Sequence, residues 1–155
     1  MINISESPTM LLVEDSKDDE DLTFMALKEN KISSNVVVCR NGAEALDYLF
    51  CRGKFEHRSE KDMPRLILLD LKLPKLDGLE LLRRVRSHQE TKLIPVVVLT
   101  TSVEEGDILE SYNLLANSYI RKPVVFEEFA SAIKQISMYW LQLNLNPPQK
   151  GCNDE

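Results

Sequence analysis

The stretch RLILLDLKLPKLDG (65–78) places a short apolar run directly before an aspartate and a loop. Residues 65–70 show no alternation of polar and apolar side chains, which is typical of a strand buried on both faces of a parallel sheet. Pro74 and the pair Asp77-Gly78 interrupt the pattern, and Asp77 followed by Glu80 predicts a capped helix start. The stretch therefore predicts a buried strand, a sharp loop that begins at Asp70, and a helix.

Similar apolar runs occur on both sides of this stretch, and longer amphipathic segments separate them. Helix starts are predicted at Asn41 with Glu44 and at Ser102 with Glu105, because a short polar side chain precedes a glutamate by three residues. Strict alternation of strands and helices predicts an α/β fold of the flavodoxin-like (βα)5 type, a five-stranded parallel sheet with helices on both faces. The strand order 2-1-3-4-5 is one of the two common choices. The remaining predicted strands are 9–14, 34–39, 95–100 and 118–121.

The first and last predicted helices differ in the width of their apolar faces. The first, residues 18–30, has Leu22, Met25 and Ala26 on one side. A longer helix from Phe126 to Trp140 carries apolar residues on a 3.6-residue period, which predicts one continuous buried stripe.

Composition limits the classes of function. The chain has 155 residues, 19 basic and 25 acidic side chains and a formal net charge of −6, which argues against a nucleic-acid backbone binder. No apolar run approaches the roughly 20 residues of a membrane span, and the amino terminus has no secretory signal. The three cysteines lack metal-ligand spacing and are interpreted as free thiols. We expect a cytoplasmic protein with a short extension at 1–8, one domain at 9–142 and a flexible tail at 143–155.

Polar residues stand at the carboxyl end of nearly every predicted strand. They bring three carboxylates, hydroxyls and an ammonium to one edge of the sheet. Carboxylates this close repel one another unless a cation joins them, and oxygen ligands without His or Cys favour Mg²⁺. A lysine and a threonine opposite such a metal predict a phosphate-bearing ligand. These residues are Glu14, Asp15, Asp70, Thr100, Thr101 and Lys122.

Four motifs carry a resemblance to a known family. In the order and spacing found here, they resemble the receiver domain of two-component response regulators, over about residues 8–141. The resemblance implies a phosphoryl acceptor at Asp70 and a Mg²⁺ (or Mn²⁺) site formed by Glu14, Asp15, Asp70 and the backbone carbonyl of Lys72. The motifs are LLVEDS (11–16), LLDLKLPKLDG (68–78), VVLTTS (97–102) and SYIRKP (118–123).

The same resemblance implies roles for the phosphate-binding and switch residues. Thr100 and Lys122 contact the phosphate oxygens, Thr101 follows the switch threonine, and Tyr119 is the aromatic switch. A cis Lys122–Pro123 bond is also implied. From the residues alone, Tyr119 has another interpretation, an edge-strand aromatic with its hydroxyl in water.

The loop GKFEHRSEKDMP (53–64) is longer than connections of this kind usually are. Together with the TTS motif (100–102) and the segment MYWL (138–141), it is similar to the stand-alone regulators paired with phytochrome-type histidine kinases. This narrower resemblance implies a sensor histidine kinase as the phosphoryl donor. His57 and His88 lie away from the predicted edge, so a phosphohistidine on this chain is not expected.

Two other functions fit these residues less well. A small Mg²⁺-dependent phosphohydrolase with an aspartate nucleophile needs a general acid beside the nucleophile, whereas Lys72 stands two residues after Asp70. A flavin or nucleotide binder lacks a glycine-rich phosphate loop, since the five glycines are scattered.

No effector domain is predicted after residue 143, so we expect a non-enzymatic switch that signals through protein contacts. Aromatic residues on the fourth helix, the fifth strand and the end of the last helix predict a homodimer interface. An alternative for Trp140 is that it closes the core. The predicted interface residues are Tyr112, Tyr119, Tyr139 and Trp140.

Overall fold

The computed structural model describes residues 9–32 and 34–148, so the predicted extension at 1–8 and residues 149–155 of the predicted tail lie outside the described range. Five strands alternate with five α-helices, which confirms the predicted α/β class. The strands are β1 (Thr9–Val13), β2 (Asn35–Cys39), β3 (Leu66–Leu69), β4 (Val96–Thr100) and β5 (Ser118–Arg121). The helices are α1 (Lys17–Glu29), α2 (Gly42–Leu49), α3 (Gly78–Ser87), α4 (Glu105–Asn113) and α5 (Phe126–Ser137).

The five strands form one parallel sheet in the order β2-β1-β3-β4-β5, as the sequence predicted. Leu12 lies opposite both Val38 of β2 and Leu68 of β3. The chain therefore reverses its direction of winding between β1 and β3. In sheets of this kind, ligands bind outside the carboxyl ends of the strands at such a point.

Each face of the sheet has its own apolar core, and β1 shows how one strand serves both. Leu11 and Val13 belong to the core under α2 and α3, whereas Met10 and Leu12 belong to the core under α1 and α5. Because successive side chains point to opposite faces, a strand covered on both sides must be apolar throughout. This explains the unbroken apolar runs in the sequence.

Two predictions about the helices are wrong in detail. Met25 is 54% exposed, because α1 turns Ala26 and Leu27 toward the sheet. Helix α4 begins at Glu105 after Glu104, which makes no side-chain cap. The predicted cap Ser102 lies two residues before this position, where its Oγ accepts a hydrogen bond from the Glu104 N–H at 3.3 Å and donates one to Asp107 Oδ2 at 2.6 Å.

The long loop between α2 and β3 is held against the end of α2 by Arg58. The Arg58 Nε donates to the Tyr48 carbonyl at 2.8 Å, and its guanidinium lies 4.3 Å from the centroid of the Tyr48 ring. Phe55, at the end of a short 3-10 helix (Gly53–Phe55), packs edge-on against the same ring. The loop therefore packs against the Tyr48 side chain at the end of α2.

Helix α5 continues into a π-helix (Met138–Leu143) that reaches the amino-terminal edge of the sheet. There Asn146 Nδ2 donates to the carbonyl of Arg65, at 3.0 Å, and Arg65 in turn donates to the Leu141 carbonyl. Within the described residues, no helix combines the length and apolar character needed to cross a bilayer.

Gly78 lets the start of α3 pack directly on the backbone after β3. A Cβ at this position would lie 2.4 Å from the Asp70 carbonyl oxygen and 2.6 Å from the Leu71 Cα. The Gly78 N–H also donates to the Leu71 carbonyl at 2.9 Å. The glycine therefore fixes the backbone that carries Asp70.

Replacing Gly78 by alanine is expected to lower the free energy of unfolding by about 1–3 kcal/mol, because the added methyl group must displace backbone atoms. Urea denaturation measures the change. Gly106→Ala is the matched control, since a Cβ there meets nothing within 4 Å. It should leave stability unchanged or raise it by about 0.5–1 kcal/mol. A Gly78→Ala variant as stable as the wild type would contradict the close packing at Asp70.

Candidate functional site

The carboxyl edge of the sheet brings together the acidic residues that the sequence placed there. Glu14 and Asp15 follow β1, and Asp70 follows β3, the strand beside it. One carboxylate oxygen from each of the three lies within 4.8 Å of the others. Asp15 is exposed, whereas Glu14 is buried, so the trio opens to solvent on the Asp15 side.

Lys122, which follows β5, reaches across the edge of the sheet to this trio. Its Nζ donates to Glu14 Oε1 at 2.5 Å, to Asp70 Oδ2 at 3.0 Å and to Asp19 Oδ2 at 2.7 Å. Only 7% of the lysine side chain is exposed. A buried ammonium is stable in such a place only when carboxylates surround it.

The ionisation of the two most buried groups reflects this environment. Burial raises the pKa of Glu14 to about 7, although the contact with Lys122 opposes that change. For Lys122, burial lowers the pKa, but hydrogen bonds from its ammonium to Asp19 and Glu14 outweigh burial and hold the pKa above its usual value. These hydrogen bonds thus favour the charged form of Lys122 at this edge.

The trio of carboxylates suits a hard divalent cation. Its donors are all oxygen atoms, and such donors, together with water, are the ligands that Mg²⁺ and Mn²⁺ prefer. An open cleft of about 590 Å³, lined by Asp15, Lys72 and Asp77 among others, leads to them. The Lys72 N–H donates to Asp70 Oδ1 at 3.3 Å, so this loop backbone lies beside the Asp70 carboxylate.

Thr100 and Thr101 are placed differently from each other. Thr100 ends β4 and is fully buried, and its Oγ1 accepts a hydrogen bond from the Ser102 N–H at 3.4 Å. Thr101 is exposed. The Lys122 N–H donates to the Thr100 carbonyl at 2.7 Å, which ties the ends of β4 and β5 together.

Tyr119 of β5 does not leave its hydroxyl to water. The hydroxyl donates to the Ser102 carbonyl at 2.9 Å, and the ring packs against the core under α2 and α3. Burial is the main cause of the raised pKa of Tyr119. The interpretation of Tyr119 as an edge-strand aromatic with a solvated hydroxyl is therefore wrong.

The Lys122–Pro123 bond is trans, which corrects the cis bond that the resemblance implied. Trans is the lower-energy isomer of an X–Pro bond by about 0.5–1 kcal/mol. The three hydrogen bonds of the Lys122 ammonium are made with this isomer.

Comparison with known protein families shows the family of the chain. The model of the response regulator receiver domain matches residues 10–134. The chain belongs to this family. The predicted resemblance to receiver domains is thus confirmed over most of the chain.

Individual receiver proteins are also similar. Response regulator Rcp1 of Synechocystis sp. is 40% identical over 133 residues, which are 86% of this chain and 88% of Rcp1. The crystal structure of the Mn²⁺-bound form of response regulator Rcp1 has a TM-score of 0.83 and 38% identity, covering 91% of this chain and 99% of that one.

Two further similar structures are those of a phytochrome and a bacteriophytochrome response regulator. The phosphorylated cyanobacterial phytochrome response regulator RcpA has a TM-score of 0.85 and 41% identity, covering 92% of this chain and 99% of its own. The bacteriophytochrome response regulator RtBRR has a TM-score of 0.73 and 50% identity, covering 92% of this chain and 85% of its own. The chain is thus a receiver domain homologous to phytochrome response regulators.

The predicted interface residues of this receiver lie on two faces of the sheet. Tyr112 of α4 is 48% exposed, and Tyr119 packs with the core under α2 and α3. Trp140 packs against the core under α1 and α5, and its ring centroid lies 4.8 Å from that of Tyr139. Tyr139 itself is 51% exposed. Trp140 therefore contributes to the core.

Two residues of the site were missed in the sequence. Asp19 looked like one of several acids in the first turn of α1, and Ser102 looked like a helix cap. The sequence carried no signal that set Asp19 apart from its acidic neighbours Asp18 and Glu20 in the first turn of α1. For Ser102 the sequence carried no signal beyond its position two residues after Thr100.

Proposed function

We propose that this receiver accepts a phosphoryl group on Asp70 from the phosphohistidine of a sensor histidine kinase, in a Mg²⁺- or Mn²⁺-dependent reaction. The observation that carries the proposal is the Lys122 ammonium, which contacts both Asp70 and Glu14 at the open edge of the sheet. A carboxylate beside a fixed cation and a cleft is suited to accept a phosphoryl group.

In the proposed reaction, an Asp70 carboxylate oxygen attacks the phosphorus in line with the leaving imidazole nitrogen. The new bond joins oxygen to phosphorus, the nitrogen–phosphorus bond breaks, and the imidazole takes up a proton from water. Lys122 stabilises the negative charge on the phosphoryl oxygens. Hydrolysis returns Asp70 to its unphosphorylated form, because water attacks the phosphorus and the Asp70 carboxylate leaves.

The metal would be held by the carboxylates of Glu14, Asp15 and Asp70 and the backbone carbonyl of Lys72. When bound, it neutralises charge between the acceptor carboxylate and the incoming phosphoryl group. Support comes from the distances within the trio and from the Mn²⁺-bound form of Rcp1, a similar receiver.

Signal output is proposed to run from Thr100 to Tyr119. Thr100 turns its hydroxyl toward the phosphoryl group together with Lys122, while the exposed Thr101 controls access of water. Because the Ser102 backbone joins Thr100 to the Tyr119 hydroxyl, a movement of Thr100 alters the bond that holds Tyr119. The receiver is thus a switch whose chemistry is limited to its own phosphorylation and dephosphorylation.

The proposal also covers the domain organisation of the chain, its cellular compartment and its binding partners. The receiver is proposed to span residues 9–142, preceded by an extension at 1–8. The first part of the predicted tail at 143–155 is held to the sheet by the hydrogen bond from Asn146 to Arg65. The protein works in the cytoplasm, relays its signal by protein contact, and does not bind nucleic acid or membranes, in line with its net charge of −6.

Acetyl phosphate with Mg²⁺ should add one phosphoryl group to the wild-type protein, as measured by intact-protein mass spectrometry. Asp70→Asn should gain none, because its amide oxygen is a poor nucleophile. Removing the metal with EDTA should also abolish the mass increase.

Asp77→Asn is the control, since it changes an acid that also lines the cleft but is outside the trio. It should still be phosphorylated. A wild type without the mass increase, or a phosphorylated Asp70→Asn variant, would contradict the proposal. Steady turnover of a small phosphomonoester would favour the phosphohydrolase instead.

The kinase is proposed to be of the phytochrome type, because two similar structures are described as phytochrome or bacteriophytochrome response regulators. Phosphoryl transfer from such a kinase of the same organism should be about tenfold faster than from kinases of other sensor classes, since specificity reflects a difference in docking free energy. Loss of radiolabel from each phosphorylated kinase measures the rate. Equal or faster transfer from another class would contradict this assignment.

A homodimer is proposed through the face formed by α4, β5 and the end of α5. Its support is the half-exposed aromatic side chains of Tyr112 and Tyr139, together with Leu143, which is 71% exposed. Apolar surface of this kind favours self-association. Tyr119 and Trp140 would support the interface from within.

Tyr139→Lys should shift the protein from dimer to monomer, because a lysine ammonium resists burial in an apolar interface. Sedimentation velocity at micromolar concentration measures the change. Phe24→Lys on α1, where Phe24 is 41% exposed, is the matched control and should remain dimeric. A monomeric wild type, phosphorylated or not, would show that the proposal is wrong.

A further inference from the structure

Asp19 contacts Lys122 at the carboxyl edge of the sheet, although the sequence did not predict it as a site residue. It lies in the first turn of α1, where Ser16 Oγ accepts a hydrogen bond from its backbone N–H at 3.3 Å. Its carboxylate Oδ2 accepts from Lys122 Nζ at 2.7 Å, a shorter distance than the one to Asp70. The Asp19 side chain is 30% exposed.

The contact between Asp19 and Lys122 matters because the Lys122 ammonium has a limited number of hydrogen-bond donors. An ammonium has three N–H donors, and the lysine uses them on Glu14, Asp19 and Asp70. Glu14 and Asp70 also belong to the trio suited to a metal, whereas Asp19 does not. A phosphoryl group can therefore accept a hydrogen bond from Lys122 only in competition with one of these three carboxylates. Of the three, Asp19 is the carboxylate that is not part of the trio suited to a metal.

We propose that Asp19 is a positioning residue that competes with the phosphoryl oxygens for Lys122 and so limits how tightly the site holds the phosphorylated state. The inference rests on the proposed function of Asp70. In the resting protein, Asp19 completes the set of carboxylates around Lys122. Once Asp70 carries a phosphoryl group, Asp19 draws one donor of the lysine away and adds a repulsive charge.

A purely structural role for Asp19 makes a different prediction. Acidic residues in the first turn of a helix interact favourably with the helix dipole, and Asp18, Asp19 and Glu20 all lie in that turn of α1. Asp18 shares this role and is exposed. A change at Asp18 therefore removes the same charge from the same helical turn without touching the acid that contacts Lys122.

The test measures binding of beryllofluoride, a non-covalent phosphoryl analogue, in saturating Mg²⁺ by isothermal titration calorimetry. We compare the full-length wild type with the variants Asp19→Asn, Asp19→Glu and Asp18→Asn. Asp19→Asn should bind the analogue about three- to tenfold more tightly, as expected for removing one charge near a partly exposed site. Asp18→Asn and Asp19→Glu should stay within about twofold of the wild type, because each retains a carboxylate at position 19.

Unchanged or weaker binding by Asp19→Asn would overturn the inference, as would an equal gain in Asp18→Asn. Urea denaturation of the same variants reports any effect on α1 separately from the affinity. A wild type that binds no beryllofluoride in Mg²⁺ would overturn the proposed function and, with it, this inference. A wild type that binds and an Asp19→Asn variant that binds no better would overturn the inference alone.

Discussion

The contact of the Lys122 ammonium with three carboxylates is the interaction on which the site depends. Each buried ion alone would cost on the order of several kcal/mol, and three carboxylates in one place would repel each other. Lys122 removes both problems, and it does so from the end of β5, on the far side of β4 from Asp70. Lys122 therefore holds the acidic residues at the carboxyl edge together and also places a positive charge beside them.

The parallel sheet explains how such distant residues meet. Since all five strands point the same way, the residues that follow β1, β3 and β5 reach one edge. The close packing of Gly78 on the Asp70 carbonyl fixes the backbone of Asp70, and the bonds of Ser102 to Thr100, Tyr119 and Asp107 extend from the site to α4. A few hydrogen bonds thus connect the site to β5 and α4.

The sequence predicted the strands from their unbroken apolar runs, and it predicted that Glu14, Asp15, Asp70 and Lys122 meet because each follows a strand of one parallel sheet. The strand order did not follow from any period and was one of two common choices. Other features depend on contacts between distant segments. Asp19 resembled an ordinary helix-start acid until Lys122, 103 residues later, was found beside it. Ser102 fitted a cap pattern, but α4 begins two residues later than that pattern predicts. Met25 fitted the apolar side of α1, but its side chain is 54% exposed. Local patterns cannot show which of several equivalent acids or hydroxyls finds a distant partner.

The central claim is that, among the clustered carboxylates, Asp70 forms the acyl phosphate. Borohydride reduction converts an aspartyl phosphate to homoserine, so peptide mapping of the phosphorylated and reduced protein locates the acceptor directly. We expect homoserine at position 70, with Glu14, Asp15 and Asp19 unchanged. Reduction at one of those three residues, or a label stable to borohydride, would contradict the assignment of Asp70 and the role given to Lys122.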